Sequence, residues 1–250
     1  MQQLERVLVA DRCSAGRAVA FASESTWHRV ERLTRRTGVR SGLATKARRL
    51  RGGSRSERAP LAEGVVVQDG EVVLAADAHP ERDPILVLRA AAATAQAGLR
   101  LAPHAVERLA RDSADLPEPW PAPARDALVS LLGAGRLAVP VWEALDQADL
   151  WARLVPEWEI VRSAPQRNPV HRFTVDRHLL ETAVQASAYT RRVERPDLLL
   201  VGALLHDIGK GRPGDHTVNG IEIVARLAPR MGFSPDDTDI LVGLVRDHLL

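Results

Sequence analysis

The stretch Leu204-Leu205-His206-Asp207-Ile208-Gly209-Lys210-Gly211 decides how the second half of this chain folds. It places a histidine and an aspartate side by side at the end of the apolar run 198–205, immediately before two closely spaced glycines. Such a run predicts a buried element, and an adjacent imidazole and carboxylate can both reach one divalent metal ion. A lone His-Asp pair occurs often by chance, so the prediction depends on the residues around it.

Helical patterns on both sides of this stretch supply further histidines. Between residues 174 and 193 apolar side chains recur at helical spacing, and His178 lies beside that stripe. Pro196 ends this helix, and Asp197 can cap the next helix, which carries the His-Asp pair. We therefore expect the histidine to lie at the edge of the same core that holds the pair.

Two more helices are predicted after the His-Asp pair. The glycines of residues 209–215 allow the backbone to approach a small anionic group closely. His216 then opens a helix, and Ser234 caps a last helix that carries Asp247 and His248. The pattern thus brings two further imidazoles into the same half of the chain.

Each of these residues taken alone has a purely structural explanation. A single histidine beside an apolar stripe is usually a packed core residue, Asp207 can cap the loop, and Asp215 can be solvated. Chance is a poor explanation for the whole series. The sequence therefore predicts a divalent metal site whose ligands are His178, His206, Asp207, His216 and His248.

Four blocks of this region carry a resemblance to a known family. They are Phe173-Thr174-Val175-Asp176-Arg177-His178, Leu205-His206-Asp207-Ile208-Gly209-Lys210-Gly211, Gly214-Asp215-His216 and Leu244-Val245-Arg246-Asp247-His248-Leu249-Leu250. Residues 171–250 resemble the HD superfamily of metal-dependent phosphohydrolases. More narrowly, they resemble the uridylyl-removing domain of bifunctional uridylyltransferases that modify the PII nitrogen-signalling protein. Blocks at 83–89, 101–103 and 137–140 look like the helical connector of that family, whereas residues 1–60 match only loosely.

The resemblance implies hydrolysis of the phosphodiester that joins UMP to a tyrosine of uridylylated PII. His178, His206 and Asp207 would be the primary ligands, and Asp207 could bridge two ions. His216 and His248 would hold the second ion, or one of them would protonate the leaving phenolate. Lys210 would offset phosphate charge, so Asp207, Lys210 and His216 are the predicted catalytic residues. The mixed donor set suits Mg or Mn, with Fe as an alternative.

Two departures from the family bear on this expectation. Gly53-Ser54 is not followed by a strand bearing paired aspartates, so we expect no nucleotidyltransferase centre here. HD proteins normally complete the site with a further aspartate beyond the last histidine, and the chain ends at Leu250, so we expect a fragment that lacks the ACT domains. Two alternatives stay open: a phosphohydrolase acting on free nucleotides, and a non-catalytic helical fragment that binds PII or stabilises a partner.

Composition limits the class of protein. The chain has 250 residues, 45% of them hydrophobic, with no apolar run near the roughly 20 residues that span a bilayer and no apolar signal region at its start. The single cysteine, Cys13, cannot form an internal disulfide, which favours a cytoplasmic location. Residues 1–60 hold 14 Lys/Arg against 5 Asp/Glu, but the arginines fall in a Gly/Ser-rich stretch without aromatics. That composition is more typical of a linker than of a nucleic-acid-binding arm, so neither nucleic acid nor membrane is an expected partner.

The predicted fold is mainly α: an HD-type helical bundle preceded by a helical connector that includes a small β-hairpin. We expect a basic helical segment and linker at 1–60, the connector at 61–165 with its hairpin at 65–74, and a truncated HD phosphohydrolase domain at 166–250. Asp69-Gly70 supplies the hairpin turn. Helical spacing predicts helices over 84–97, 103–112 and about 124–132. Trp142, Trp151 and Trp158 are spaced for helix packing.

Overall fold

The computed structural model describes residues 58–165 and 173–249. These residues belong to one compact unit and share one hydrophobic core. Residues 1–57 of the basic helical segment and linker predicted at 1–60 lie outside the described residues, as does His171. Because the same core extends through both the connector and the bundle, the boundary near residue 165 stays a prediction.

A small sheet opens the described chain. Its strands β1 (Ala59–Ala62), β2 (Val65–Gln68), β3 (Glu71–Leu74) and β4 (Arg100–Leu101) lie in sequence order, antiparallel except for the parallel pair β3 and β4. Asp69 and Gly70 join β2 to β3 with φ of +55° and +84°, the left-handed pair that a tight type I′ turn requires. The predicted hairpin is therefore confirmed. The two flanking strands, β1 and β4, were not predicted, and β4 has only two residues.

The connector continues as a group of helices, some of which contact this sheet. They are α1 (Leu86–Ala97), α2 (Pro103–Asp112), α3 (Ala122–Gly133), α4 (Ala138–Gln147) and α5 (Leu150–Leu154), followed by a 3₁₀ turn at Pro156–Ile160. Trp142 stacks on Trp151 with ring centroids 3.7 Å apart, and Trp158 meets Trp142 edge-on at 5.1 Å. All three indoles are buried, so their predicted role in the core is confirmed.

Four helices form the bundle that follows. They are α6 (Val175–Ser187), α7 (Pro196–Leu205), α8 (His216–Arg230) and α9 (Pro235–Arg246), with a 3₁₀ turn at Ile208–Gly211 between α7 and α8. Every residue of α7 from Leu198 onward is buried, because this helix packs against α6, α9 and α3 at once. The mainly α fold predicted from the sequence is confirmed.

Several local predictions need correction. Asp197 does not cap α7, because Arg195 occupies the N-cap position and the aspartate lies in the first turn, paired with that arginine at 2.8 Å. The last helix ends at Arg246, so Asp247 and His248 lie just beyond it. Ser234 does cap α9, accepting a hydrogen bond from the Asp237 amide at 3.2 Å.

The helices of the described residues are short compared with the thickness of a bilayer. No single helix there is long and apolar enough to cross a bilayer. One pair, Ala122–Gly133 with Gly135–Gln147, reaches the required length only when taken together, across a bend of 108°.

Candidate metal centre

The predicted ligands converge although they come from four separate elements. His178 lies in the first turn of α6, His206 directly follows α7, His216 is the first residue of α8, and His248 follows α9. Asp207 lies at the centre, between α7 and the 3₁₀ turn. Because α7 is enclosed on all sides, the His-Asp pair at its end has a rigid support.

The first triad consists of His178, His206 and Asp207. The Nε2 atoms of the two histidines are 3.1 Å apart, and they lie 3.3 Å and 3.2 Å from Asp207 Oδ2. Two ligands held about 2.1 Å from one ion are about 3.0 Å apart in an octahedral arrangement and about 3.4 Å apart in a tetrahedral one. All three separations fall in this interval, so the triad has the dimensions of one face of a coordination shell.

The second triad uses the other oxygen of the same carboxylate. His248 Nε2 lies 3.1 Å from Asp207 Oδ1, and His216 Nε2 lies 4.0 Å from it. The 4.0 Å separation exceeds every ligand-atom separation in the first triad, so the second triad is the wider of the two. Asp207 thus faces two pairs of imidazoles, one pair with each oxygen.

Backbone carbonyls fix the orientation of two of these rings. His206 Nδ1 lies 2.8 Å from the Ala203 carbonyl oxygen, and His248 Nδ1 lies 2.6 Å from that of Val245. A carbonyl only accepts, so each Nδ1 donates a hydrogen bond to its carbonyl and each ring presents its Nε2 to Asp207. This is the arrangement in which metal-ligating histidines are usually held.

The charges of the cluster favour an ionised carboxylate. Burial alone would raise the pKa of Asp207, but contacts with His178, His206 and His248 outweigh it and hold that pKa well below its usual range. Burial alone would lower the pKa of His248, and its contact with Asp207 raises it instead. The centre therefore keeps its one carboxylate anionic across the physiological pH range.

Buried acceptor atoms make the donor set suitable for a cation. Asp207 Oδ1, His216 Nε2 and His248 Nε2 are buried, and apart from the 3.1 Å contact between His248 and Asp207 none has a hydrogen-bond partner among the described residues. Leaving such atoms unpaired costs about 1–3 kcal/mol each, and a divalent ion would satisfy them together. The residues thus fit a divalent metal with nitrogen and oxygen ligands, without selecting among Mg, Mn and Fe.

Lys210 is brought to the same carboxylate. Its Nζ lies 2.6 Å from Asp207 Oδ2, and its side chain is 23% exposed, whereas that of Asp207 is 3% exposed. His216, with a side chain 33% exposed, is the most accessible of the predicted ligands. The ammonium and this imidazole therefore border the open side of the cluster.

The loop glycines have a different role from the predicted one. A Cβ on Gly209 would lie 2.1 Å from the His216 carbonyl oxygen, and a Cβ on Gly211 would lie 1.9 Å from that of Ile160. These two glycines therefore permit close packing of protein backbone rather than access for an anion. Only Gly214, with φ of +95° and no atom within 4 Å of an added Cβ, faces open space in this loop.

Comparison with known proteins agrees with the geometry. Residues 175–250 match the HD domain family, and this range contains both triads. These residues form an HD domain. The resemblance inferred from the four sequence blocks is therefore confirmed.

Curated relatives extend the similarity upstream. The chain is 59% identical to a bifunctional uridylyltransferase/uridylyl-removing enzyme of Streptomyces coelicolor over 94% of the chain, and 49% identical to one of Mycobacterium tuberculosis over 95%. It is 41% identical to one of Corynebacterium glutamicum over 77%. The chain spans only 28% of the length of each of these relatives. Since the similarity to the Streptomyces coelicolor enzyme covers 94% of the chain, it extends well into residues 1–60, where the sequence motifs resemble the family only loosely.

Two contributions to the centre were not anticipated from the sequence. Asp215, for which solvation was the purely structural alternative, caps α8 by accepting hydrogen bonds from the Thr217 and Val218 amides at 2.8 Å and 3.1 Å. Its position immediately before a helix is the signal that could have shown this. The contact between Gly211 and Ile160 carries no sequence signal, because it joins residues from separate parts of the chain.

Proposed function

We propose that this chain is the uridylyl-removing part of a PII-modifying enzyme: a metal-dependent hydrolase that releases UMP from uridylylated PII protein. The proposal is carried by one observation: two triads, each with two histidines, share Asp207 within an HD domain. The relatives are uridylyl-removing enzymes, and this similarity supports a uridylyl group as the substrate. Because the chain spans 28% of their length, the activity is proposed for this segment alone.

A bound divalent ion would lower the pKa of a water molecule and hold phosphoryl oxygens in this centre. His178, His206 and Asp207 would be its ligands, with His216 and His248 available for a second ion. In the reaction, the water oxygen bonds to phosphorus and the bond from phosphorus to the tyrosine oxygen breaks. UMP, which carries this phosphorus, then leaves, and the proton that the attacking water loses balances the proton that the tyrosine oxygen takes up.

The chain's own residues orient the metal ligands and offset negative charge in this reaction. The Ala203 and Val245 carbonyls fix two imidazoles, so the ligand set needs little rearrangement. Lys210, at the open side, places a positive charge next to the phosphate oxygens. We assign His216 to the second triad and, where that triad holds no ion, to protonation of the leaving phenolate.

Partner and location follow from the same proposal. A substrate carried on PII requires a centre open to a protein surface, which agrees with the partly exposed Lys210 and His216. We propose a cytoplasmic setting for this reaction, with neither nucleic acid nor membrane as a partner.

Release of UMP from uridylylated PII with Mn²⁺ present tests the proposal. The intact chain is compared with the double variant His206→Ala, Asp207→Ala, and we expect release from the intact chain alone. The matched control is His104→Ala, Asp126→Ala, which removes the same two residue types from exposed positions of α2 and α3. This control should release UMP at the rate of the intact chain.

The alternatives give different outcomes. Hydrolysis of free nucleotides without release from PII would assign the centre to a small-molecule phosphohydrolase. If the intact chain neither releases UMP nor binds Mn²⁺ at stoichiometric level, the catalytic proposal is wrong and the segment is a binding or structural module.

A further inference from the structure

The end of the connector contacts two of the segments that carry the metal centre. We call residues 156–164, which comprise the 3₁₀ turn Pro156–Ile160 and the bend after it, the connector turn. On one side, Gly211 packs so tightly on Ile160 that an added Cβ would lie 1.9 Å from its carbonyl oxygen. That glycine follows Lys210 directly. The other side of the connector turn meets the start of α6, the helix that carries His178.

The contact with α6 takes the place of an ordinary helix cap. Thr174 occupies the N-cap position, but its side chain makes no capping hydrogen bond. Instead, the amides of Val175 and Asp176 donate to the carbonyl oxygens of Ala164 at 2.9 Å and Val161 at 3.3 Å. The first turn of a helix has amides that need partners, and here the connector turn supplies them.

Asp176 completes this junction with its carboxylate. Its Oδ2 accepts a hydrogen bond from the Ser163 amide at 2.8 Å, and its Oδ1 accepts one from the Arg177 amide at 2.8 Å. Ser163 has a φ of +53°, a left-handed conformation that non-glycine residues seldom adopt without a partner to hold it. The carboxylate thus holds the connector turn in an unfavourable conformation and binds it to the helix two residues before His178.

We infer that Asp176 is a positioning residue for the metal centre, which sets the distance between His178 and Asp207 by fastening α6 to the connector turn. This inference rests on the proposed function, since it assumes that the first triad binds a metal. Asp176 itself does not touch the cluster of ligand atoms. Its effect passes through two backbone junctions, α6 with residues 161–164 and Gly211 with Ile160.

The test measures Mn²⁺ affinity by titration calorimetry, together with the unfolding temperature, for the intact chain and its variants. Asp176→Ala should raise the Kd for Mn²⁺ by about 10-fold, the lower end of the roughly 10–100-fold cost of losing a group that orients metal ligands. Asp176→Asn keeps one acceptor oxygen for the Ser163 amide, so its Kd for Mn²⁺ should lie between those of the intact chain and Asp176→Ala. If Asp176→Ala does not fold, the Kd of Asp176→Asn compared with that of the intact chain still tests the positioning role.

Two controls separate positioning from a general loss of stability. Asp83 has the same kind of role away from the site: its Oδ1 accepts from the Ile85 amide at 3.2 Å, and its Oδ2 accepts from Arg89 at 2.6 Å. Asp83→Ala should lower the unfolding temperature without changing the Kd for Mn²⁺. Ser163→Gly suits the positive φ and keeps the donated amide, so it should also retain the affinity of the intact chain.

The outcomes distinguish this inference from the proposed function. If Asp176→Ala and Asp176→Asn bind Mn²⁺ as tightly as an intact chain that does bind it, the positioning role is wrong and the proposed function stands. An equal loss of affinity in Asp83→Ala would also overturn it, because the effect would then reflect stability alone. An intact chain that binds no Mn²⁺ overturns both.

Discussion

Substitution of Gly209 tests how closely the loop must pack for the second triad to form. A Cβ at this position would lie 2.1 Å from the His216 carbonyl oxygen and 2.5 Å from the Gly220 amide nitrogen, whereas ordinary contact begins at 3.4 Å. Gly209→Ala therefore requires the start of α8 to move by about 1.3 Å, and both obstructing atoms belong to backbone. Overpacking of this kind costs about 1–3 kcal/mol.

The expected effects can be measured separately. A loss of about 1–3 kcal/mol lowers the unfolding temperature of a chain of this size by roughly 2–12 °C, as followed by circular dichroism. Because His216 is the first residue of α8, the same displacement withdraws its imidazole from Asp207. In a calorimetric titration with Mn²⁺, we expect binding at the second triad to weaken more than binding at the first.

Gly243→Ala is the matched control. It makes the same change within α9, where an added Cβ meets no atom within 4 Å, so it should be neutral or stabilise by up to about 1 kcal/mol. The packing argument is refuted if Gly209→Ala unfolds at the temperature of the intact chain and binds Mn²⁺ equally well. It is also refuted if both variants lose the same stability.

Two further predictions concern charged residues. Lys210→Met removes the ammonium from Asp207, so the affinity for Mn²⁺ should equal or exceed that of the intact chain. The same variant should release UMP more slowly, because the positive charge beside the phosphate is lost. Faster release would contradict this role of Lys210. Arg195→Gln should reduce the free energy of unfolding by about 0.5–1 kcal/mol at neutral pH. The pKa of Asp237 is lowered by Arg195, and that of Asp197 is lowered by it against the opposing effect of burial. The stabilisation by Arg195 is therefore present above pH about 4 and is lost as the pH falls through the lowered pKa values of the two aspartates. Urea unfolding of the intact chain and the variant at pH 7 and pH 3 measures it. If the variant loses the same free energy of unfolding at both pH values, the prediction is refuted.

Much of the centre could be predicted because its chemistry depends on the types of residue present. Imidazole and carboxylate side chains next to helical stripes indicate ligands, and the structure brings His178, His206, Asp207, His216 and His248 together. Their assignment as ligands stays a prediction until a metal is measured. The fold class was predictable for a similar reason, since apolar periodicity reports which face of each helix is buried.

Other features could not be predicted, because they depend on where separate segments meet. β4 has two residues, too few for a pattern, and it pairs with β3 only after α1 has returned the chain. The cap of α6 comes from carbonyls of the connector turn, which no local signature encodes. The loop glycines predict room for an anion, because a sequence shows that a side chain is absent but not what occupies its place. In the structure backbone atoms of other segments occupy that place at Gly209 and Gly211.

The enclosure of α7 has a consequence for the order in which the protein opens. A helix packed on every side separates from its neighbours only when the whole core does, whereas peripheral helices detach with a smaller cost in free energy. His206 and Asp207 sit at the end of this last element to open, and the ends of α8 and α9 bring His216 and His248 to it from outside. On gradual destabilisation, the second triad should therefore come apart while the His-Asp pair is still in place, and the centre should pass through a half-assembled form before the domain unfolds.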